Sequence, residues 1–257
     1  LWLWLGLVMG LALLNKIGMI WFGFGLFIAL LATRQRHWLA TRWPYLCAII
    51  AGVLFMPYII WNATHDWPTL EFMTGATQKY SSQSRIGFLA GQLLINNPFN
   101  IPVWIAGLVF LIRKRQVASV SVLMTIFLTV LVILLVNGNV KPEYLSQIFV
   151  VLFICGAIMV ESWAVGKKWI SVTILAFQCI GIAVVPMVLP VLSVEKFISY
   201  SQALGMAPTT AENHQLAELP QFYADMFGWE NQARGIAEVY HKLSAEDKAI
   251  CGIFGDN

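Results

Sequence analysis

From residue 117 to residue 136 the chain runs for twenty residues without a charge. As an α-helix that stretch is about 30 Å long, the thickness of a bilayer's hydrocarbon core. Apolar runs of the same character recur at 1–14, 17–33, 45–61, 101–112, 145–160 and 169–192, each closed by a polar island. Charged residues make up 11% of the chain. A soluble domain carries about 25%. Together these features demand a bundle of membrane helices, since a backbone in lipid must satisfy its own hydrogen bonds. The run 1–14 is short for a span and reads as a short bundle helix or the tail of a longer one. Residues 86–95 are apolar but few, and Asn96-Asn97-Pro98 breaks them, so they read as an interfacial or re-entrant segment.

The islands alternate in charge. Arg34, Arg36 and Arg42, then Arg113-Lys114-Arg115, then Lys167-Lys168 fall on every second connection. The positive-inside rule assigns that side to the cytoplasm. Loops 62–85 and 137–144, and everything after residue 192, then face outward. The basic residues are clustered between spans rather than spread along a face, so no nucleic-acid partner is expected. Cys47, Cys155 and Cys179 fall within apolar runs, where a free thiol packs as a small apolar group, and no zinc or redox spacing occurs. The opening Leu1-Trp2-Leu3-Trp4 lacks a signal-peptide pattern. Both ends read as interior to a larger membrane protein.

Composition changes at about residue 193, dividing a transmembrane bundle (1–193) from an outward portion (194–257). Residues 207–214 are loop-like, and 222–227 could form a short helix. Residues 230–243 place Ala233, Ile236, Ala237, Tyr240 and Leu243 at helical spacing. Ser244 and Asp247 suggest a turn or cap. Residues 249–254 are short, apolar and followed by Gly255, as a buried strand would be. The expected fold is therefore an all-α polytopic membrane bundle followed by the start of a small α/β extracytoplasmic domain. Gly255-Asp256-Asn257 would be a ligand-facing loop.

Candidate functional residues lie on the outward side. His65-Asp66 could serve acid–base or metal chemistry, or simply cap the adjoining segment. Lys79 and Arg85 sit on the face the positive-inside rule disfavours, where an anionic lipid headgroup would give them a role. Lys16 interrupts two apolar runs and must snorkel or meet an anion. Lys141 and Tyr144 share a tight turn with Asn137 and Asn139; Lys141 could pair with a phosphate that Tyr144 hydrogen-bonds, or the turn could simply be solvated. Trp61 and Trp67 suit the interfacial belt. Asn62-Ala63-Thr64 fits a glycosylation sequon but adjoins a helix end. No nucleophile elbow, phosphate-binding loop or metal motif is present.

Several stretches resemble glycosyltransferase family 39, the group of protein O-mannosyltransferases and the lipid A aminoarabinose transferase. Gly6-Leu7-Val8-Met9-Gly10 through Asn15-Lys16 resembles that family's glycine-punctuated helix ending in Lys. Pro57-Tyr58-Ile59-Ile60-Trp61-Asn62 with His65-Asp66-Trp67-Pro68 resembles its P-x-x-x-W-N-x-x-H-x-W segment. Asn97-Pro98, Asn137-Gly138 with Lys141 and Tyr144, and Leu219-Pro220-Gln221 with Phe227-Gly228-Trp229 also match. The resemblance implies a GT-C-type fold in the bacterial inner membrane. It implies transfer of a sugar from a polyprenyl-phosphate carrier to an extracytoplasmic acceptor. The partners implied are membrane lipid, a lipid-linked sugar donor and that acceptor. The family's catalytic acidic residue lies in an earlier outward loop, so no catalytic base is named here. On this reading Lys141 leads a donor-phosphate clamp, with Lys16 and Arg85 behind it and Tyr144 orienting the phosphate. A transporter or flippase of a lipid-linked saccharide is the alternative. A transporter should carry polar residues mid-span and paired broken helices. A third reading is a non-catalytic scaffold.

Overall fold

The computed structural model describes residues 1–79, 84–137, 141–205 and 218–253. The chain divides into two units, Leu1–Val185 and Pro186–Asn257. The first contains nine α-helices among its described residues: α1 (Trp2–Asn15), α2 (Ile20–Ala32), α3 (Trp43–Thr64), α4 (Pro68–Lys79), α5 (Arg85–Ile95), α6 (Ile101–Arg113), α7 (Ala118–Asn137), α8 (Glu143–Ala164) and α9 (Trp169–Ile180). Four stretches are long and apolar enough to cross a membrane: α3, α7, α8 and Trp169–Met187, where a 3-10 turn extends α9. Two bent pairs bring the number to as many as six. The faces that are not buried are apolar, with Val53, Val132, Ile154 and Val172 all exposed. Apolar surface of that extent belongs in lipid. The chain is a multi-pass integral membrane protein.

Small residues set the helix contacts. Gly6 and Gly10 of α1 lie one turn apart and face Cys47 and Ala51 of α3; a Cβ on Gly6 would come within 2.6 Å of the Cys47 carbonyl oxygen. Matching contacts one turn on, in the same order, make α1 and α3 parallel. This is the small-xxx-small packing that lets membrane helices approach where no hydrophobic drive exists between them. At the α6–α8 crossing a Cβ on Gly107 would run into the Leu152 carbonyl, and one on Gly156 into the Val103 carbonyl. Gly25 brings α2 against Ile126 of α7. The buried core then forms around Phe127, Val130, Leu145, Ile148, Phe149 and Leu152.

The links between successive spans are short except for the one from α3 to α6, which holds α4 and α5. The Trp2 and Trp38 rings, 5.7 Å apart, tie the start of α1 to the 3-10 helix Arg34–Ala40. The basic islands at 34–42, 113–115 and 167–168 thus gather on one side of this unit, and Lys16, 62–67 and 141–144 on the other. The 3-10 helix Arg34–Ala40 turns 103° from the helix before it, and α5 is bent 85° from Pro98–Arg113. The second bend sits at Asn97, whose φ is +58° and whose Oδ1 accepts the Phe99 N–H at 3.0 Å. Asn tolerates that left-handed backbone. The segment expected to be interfacial or re-entrant is therefore a short helix set steeply across the next one.

The polar stretch 62–85 is not an open loop, since α4 occupies much of it. Asn62, 1% exposed, organises its start. Its Nδ2 donates to the Tyr58 carbonyl at 3.1 Å, its Oδ1 accepts the Thr69 N–H at 3.2 Å, and its carbonyl accepts the Trp67 N–H at 2.8 Å. A side chain so enclosed is a turn-former and not a glycan acceptor.

The second unit contains α10 (Val194–Ala203), α11 (Gln221–Ala224), α12 (Trp229–Lys242) and α13 (Ala245–Ile250). Phe197 and Tyr223 stack at 4.3 Å and are its largest buried side chains. The helix expected over 230–243 is α12, and Ser244 caps α13 by accepting the Asp247 N–H at 3.0 Å. The strand expected at 249–254 is not found, and the α/β expectation is not met among the described residues. Ala249 and Ile250 end a helix, Cys251–Ile253 have no regular structure, and there is no strand among the described residues. The reason is local: the Ser244 cap and acidic first turn of Glu246 and Asp247 start a helix that carries the apolar pair with it. The expected ligand-facing loop at 255–257, the loop at 207–214 and Gly138 with Asn139 lie outside the described residues.

Candidate functional site

Three elements converge on the side opposite the basic islands. The first is the break after α1. Lys16 takes an extended conformation there, with φ −147° and ψ 113°, and its N–H closes the helix on the Ala12 carbonyl. The second is the start of α8. The Lys141 carbonyl accepts the Tyr144 N–H at 3.1 Å, folding residues 141–144 into one turn. The third is α5, whose Gly91 lies so close to the Pro142 ring that a Cβ would stand 2.7 Å from its Cγ. Gln92, 5% exposed, donates from Nε2 to the Pro142 carbonyl at 2.9 Å.

The Lys16 ammonium stands over the Tyr144 ring, 5.5 Å from its centroid. Among the described residues no carboxylate pairs with it. Lys141 is half-buried three residues before Tyr144. Two lysines from different parts of the chain are thus carried to one turn, one of them against a phenol ring. Gln147 lies one turn further along α8, beside Gly18, and the two border a narrow hollow with Met19 and Tyr144. A cation resting only on an aromatic face keeps its charge available to an anion.

The other expected residues are placed differently. Arg85 is the exposed first residue of α5, six positions before Gly91, or about 9 Å by helix rise. Lys79 ends α4, and its side chain is outside the described residues. His65 stacks on Trp61 with ring centroids 4.7 Å apart, and its Nδ1 lies 2.8 Å from the Trp61 carbonyl. It closes the end of α3. Asp66 and Trp67 both hold φ at +58°, an uncommon backbone for a bulky side chain. His65 and Asp66 therefore belong to a tightly built turn. Among the described residues no cluster of His, Cys, Asp or Glu could hold a metal.

What the residues alone did not suggest is a line of amides. Gln92 bonds Pro142; Asn96 Nδ2 donates to the Gln92 carbonyl at 3.1 Å; Asn100 Nδ2 donates to the Asn96 carbonyl at 3.2 Å. Gln178 of α9 then donates to Asn100 Oδ1 at 2.9 Å. This chain runs from α9 through the bend to the turn that carries Lys141. The signal was present as amides every fourth residue, at 92, 96 and 100, in an otherwise apolar stretch.

Residues 1–61 match the family described as dolichyl-phosphate-mannose-protein mannosyltransferase. The match supports the resemblance to glycosyltransferase family 39, and with it a membrane glycosyltransferase of the GT-C type. It covers α1, α2 and most of α3. Lys16 falls within it, whereas His65, Asp66, Lys79, Arg85, Lys141 and Tyr144 fall beyond it. No curated protein and no solved structure matches the chain.

Proposed function

We propose that this protein transfers a sugar from a polyprenyl-phosphate carrier to an acceptor on the outer side of a bacterial inner membrane. The observation that carries the reading is the meeting of Lys16 with Tyr144 beside Lys141. In the reaction the bond between the sugar's anomeric carbon and the phosphate oxygen breaks, and the acceptor oxygen bonds that carbon. The phosphate leaves with more negative charge than it had. Ammonium groups held in place before the reaction stabilise that charge without reorganising. Lys141 and Lys16 supply the cations, and Tyr144 orients the phosphate while holding Lys16. Arg85 lies further along α5, where it suits the carrier's second contact with the membrane surface. Deprotonation of the acceptor is assigned to no residue of this chain.

The test uses the full-length protein in vesicles with a polyprenyl-phosphate sugar. Wild type should release polyprenyl phosphate, and Lys141→Ala or Lys16→Gln should weaken donor use. Each lost charge-assisted contact costs about 1.5–3 kcal/mol, or roughly tenfold to a hundredfold in donor affinity. Unchanged donor affinity in both variants would remove the clamp.

One observation favours a second reading. The steep bend between α5 and Pro98–Arg113, with buried Gln92 and Asn96 beside it, resembles the broken helices of transporters. Passage of an intact lipid-linked saccharide, with no polyprenyl phosphate released, would favour that reading.

A further inference from the structure

A groove of about 940 Å³ opens between α8 and α9, at the end of the bundle opposite Lys16. Its walls are apolar and partly small: Val103, Ala157, Val160, Ile174 and Leu175. Only 6% of the Trp169–Met187 window is buried, so α9 is a peripheral helix that keeps most of its surface outside the bundle. It is held at mid-length by Ile174 against the cluster of Ala106, Met159 and Val160, and at the far end by the Gln178–Asn100 hydrogen bond and the Phe99 and Phe177 rings 5.1 Å apart. The near end is the tight turn at Gly166, whose φ is +72°. The groove runs like a slot between these two links, from the turn at Gly166 to the Gln178–Asn100 bond.

The end of the slot beside the turn carries one charge of each sign. Glu161 and Lys168 both line it, both are exposed, and among the described residues neither has a side-chain partner. Trp163 and Trp169 flank the turn, where belt residues meet headgroups. From Lys168 to Gln178 is ten residues of helix, about 15 Å, which is half of a bilayer's hydrocarbon thickness. The slot therefore has the depth of one leaflet. Lipid chains are what a bilayer offers to fill it, since neither water nor empty space is favoured there.

We infer that this groove is a binding site for a zwitterionic aminophospholipid of the cytoplasmic leaflet. Its phosphate meets Lys168, its primary ammonium meets Glu161, and an acyl chain lies along Ala157 and Leu175. An anionic phospholipid such as phosphatidylglycerol would satisfy Lys168 but bring no cation to Glu161. A phosphatidylcholine head has no N–H to give Glu161. A polyprenyl chain is longer than the slot is deep. The inference rests on the membrane orientation and is independent of sugar transfer.

The full-length protein is reconstituted in vesicles holding equal amounts of phosphatidylethanolamine, phosphatidylglycerol and phosphatidylcholine. It is then extracted in mild detergent, and the retained phospholipid is quantified by mass spectrometry. Wild type should retain phosphatidylethanolamine over each of the others by roughly threefold to fivefold, as expected of a partly exposed charge pair. Glu161→Gln should shift retention toward phosphatidylglycerol, and Lys168→Gln should lower retention of both. Ala157→Phe, which fills the slot, should remove bound lipid. Equal retention of the three lipids by wild type, or an unchanged preference in Glu161→Gln, would overturn the assignment. Polyprenyl phosphate as the lipid retained from native membranes would overturn it too. The two charge variants alter exposed side chains, so a folding failure of Ala157→Phe leaves the test decisive.

Discussion

Replacing Gln92 by Leu tests whether the amide line holds the Lys141 turn. The two side chains are similar in size, so little volume is lost. What is lost is the Nε2 donation to the Pro142 carbonyl at 2.9 Å and to the Phe88 carbonyl at 3.1 Å. Neither carbonyl is orphaned. Pro142 still accepts the Leu145 N–H at 3.2 Å, and Phe88 remains in its helix ladder. Asn96 keeps its bond to the residue 92 carbonyl at 3.1 Å. The penalty is therefore that of one tie between segments of a membrane protein, about 0.6 kcal/mol on average and about 1.7 at most. Equilibrium unfolding in mixed micelles measures it. Because the tie ends on the residue after Lys141, donor affinity should fall as well, by roughly threefold to tenfold. Asn96→Leu should weaken the same line, and the double variant should cost less than the sum of the singles. Additive costs with an unchanged donor affinity would refute the idea that these amides position the turn.

Gly107→Ala should destabilise the bundle by about 1–3 kcal/mol, because the new methyl meets the Leu152 main chain, which cannot step aside as a side chain could; a stability change near zero in micelle unfolding would count against the packing. Trp104→Phe should be nearly neutral, since the buried indole N–H has no acceptor and its removal relieves a desolvation cost of about 1–3 kcal/mol that offsets the lost ring area; a large loss on unfolding would point to an acceptor. In the second unit, hydrogen bonds from its own backbone N–H and from Ser193 hold the Glu195 carboxyl below the ordinary carboxylate range. A lowered pKa means the carboxylate favours the folded α10 above that range, and the contribution fades as pH falls through it. Amide-exchange protection across α10, corrected for the intrinsic pH dependence of exchange, should fall between about pH 5 and pH 3, and Glu195→Gln should abolish that fall.

The spans and their order were legible because lipid imposes one rule on every residue that faces it. A run without charge at 117–136 has only one way to satisfy its backbone, and α7 follows. The grouping of the basic islands on one side was legible for a similar reason: they are few and fall on every second connection. Residues 249–254 were misread because six apolar residues bear no period that separates strand from helix. The Ser244 cap, two residues after the end of α12, decided it. The site was half legible. Lys16, Lys141 and Tyr144 stood out as polar groups at a membrane face, but nothing in their spacing says that residue 16 touches residue 144. That contact depends on parallel packing of α1 with α3 and on where α2 meets α7, and those depend on glycines whose partners are remote in the chain. Of the amides at 92, 96 and 100, Asn96 alone stands out in the sequence, as part of the Asn96-Asn97-Pro98 break, and the bond of Asn100 to Gln178 joins residues 78 apart.

Polar side chains in this bundle are treated in two ways, and the difference bears on function. Gln92, Asn96, Asn100 and Gln178 satisfy one another and the main chain. They need nothing from outside. Lys16 is charged and therefore costlier to place at a membrane, yet its described contact is the face of Tyr144 and no carboxylate balances it. A scaffold would gain by replacing it with a neutral residue. A site for an anion would gain by keeping it unpaired, because a carboxylate partner would have to be displaced before the anion could bind. Placing an acid beside Lys16 should therefore stabilise the bundle and weaken the donor together. Gln147→Glu, one turn from Tyr144 and close to Gly18, does so. The expected gain in stability is modest, about 0.2–1 kcal/mol for a pair this exposed. The loss of donor affinity should be larger, roughly tenfold, since the acid both occupies Lys16 and repels the phosphate. A variant that gained stability and kept its donor affinity would show that Lys16 serves the fold alone.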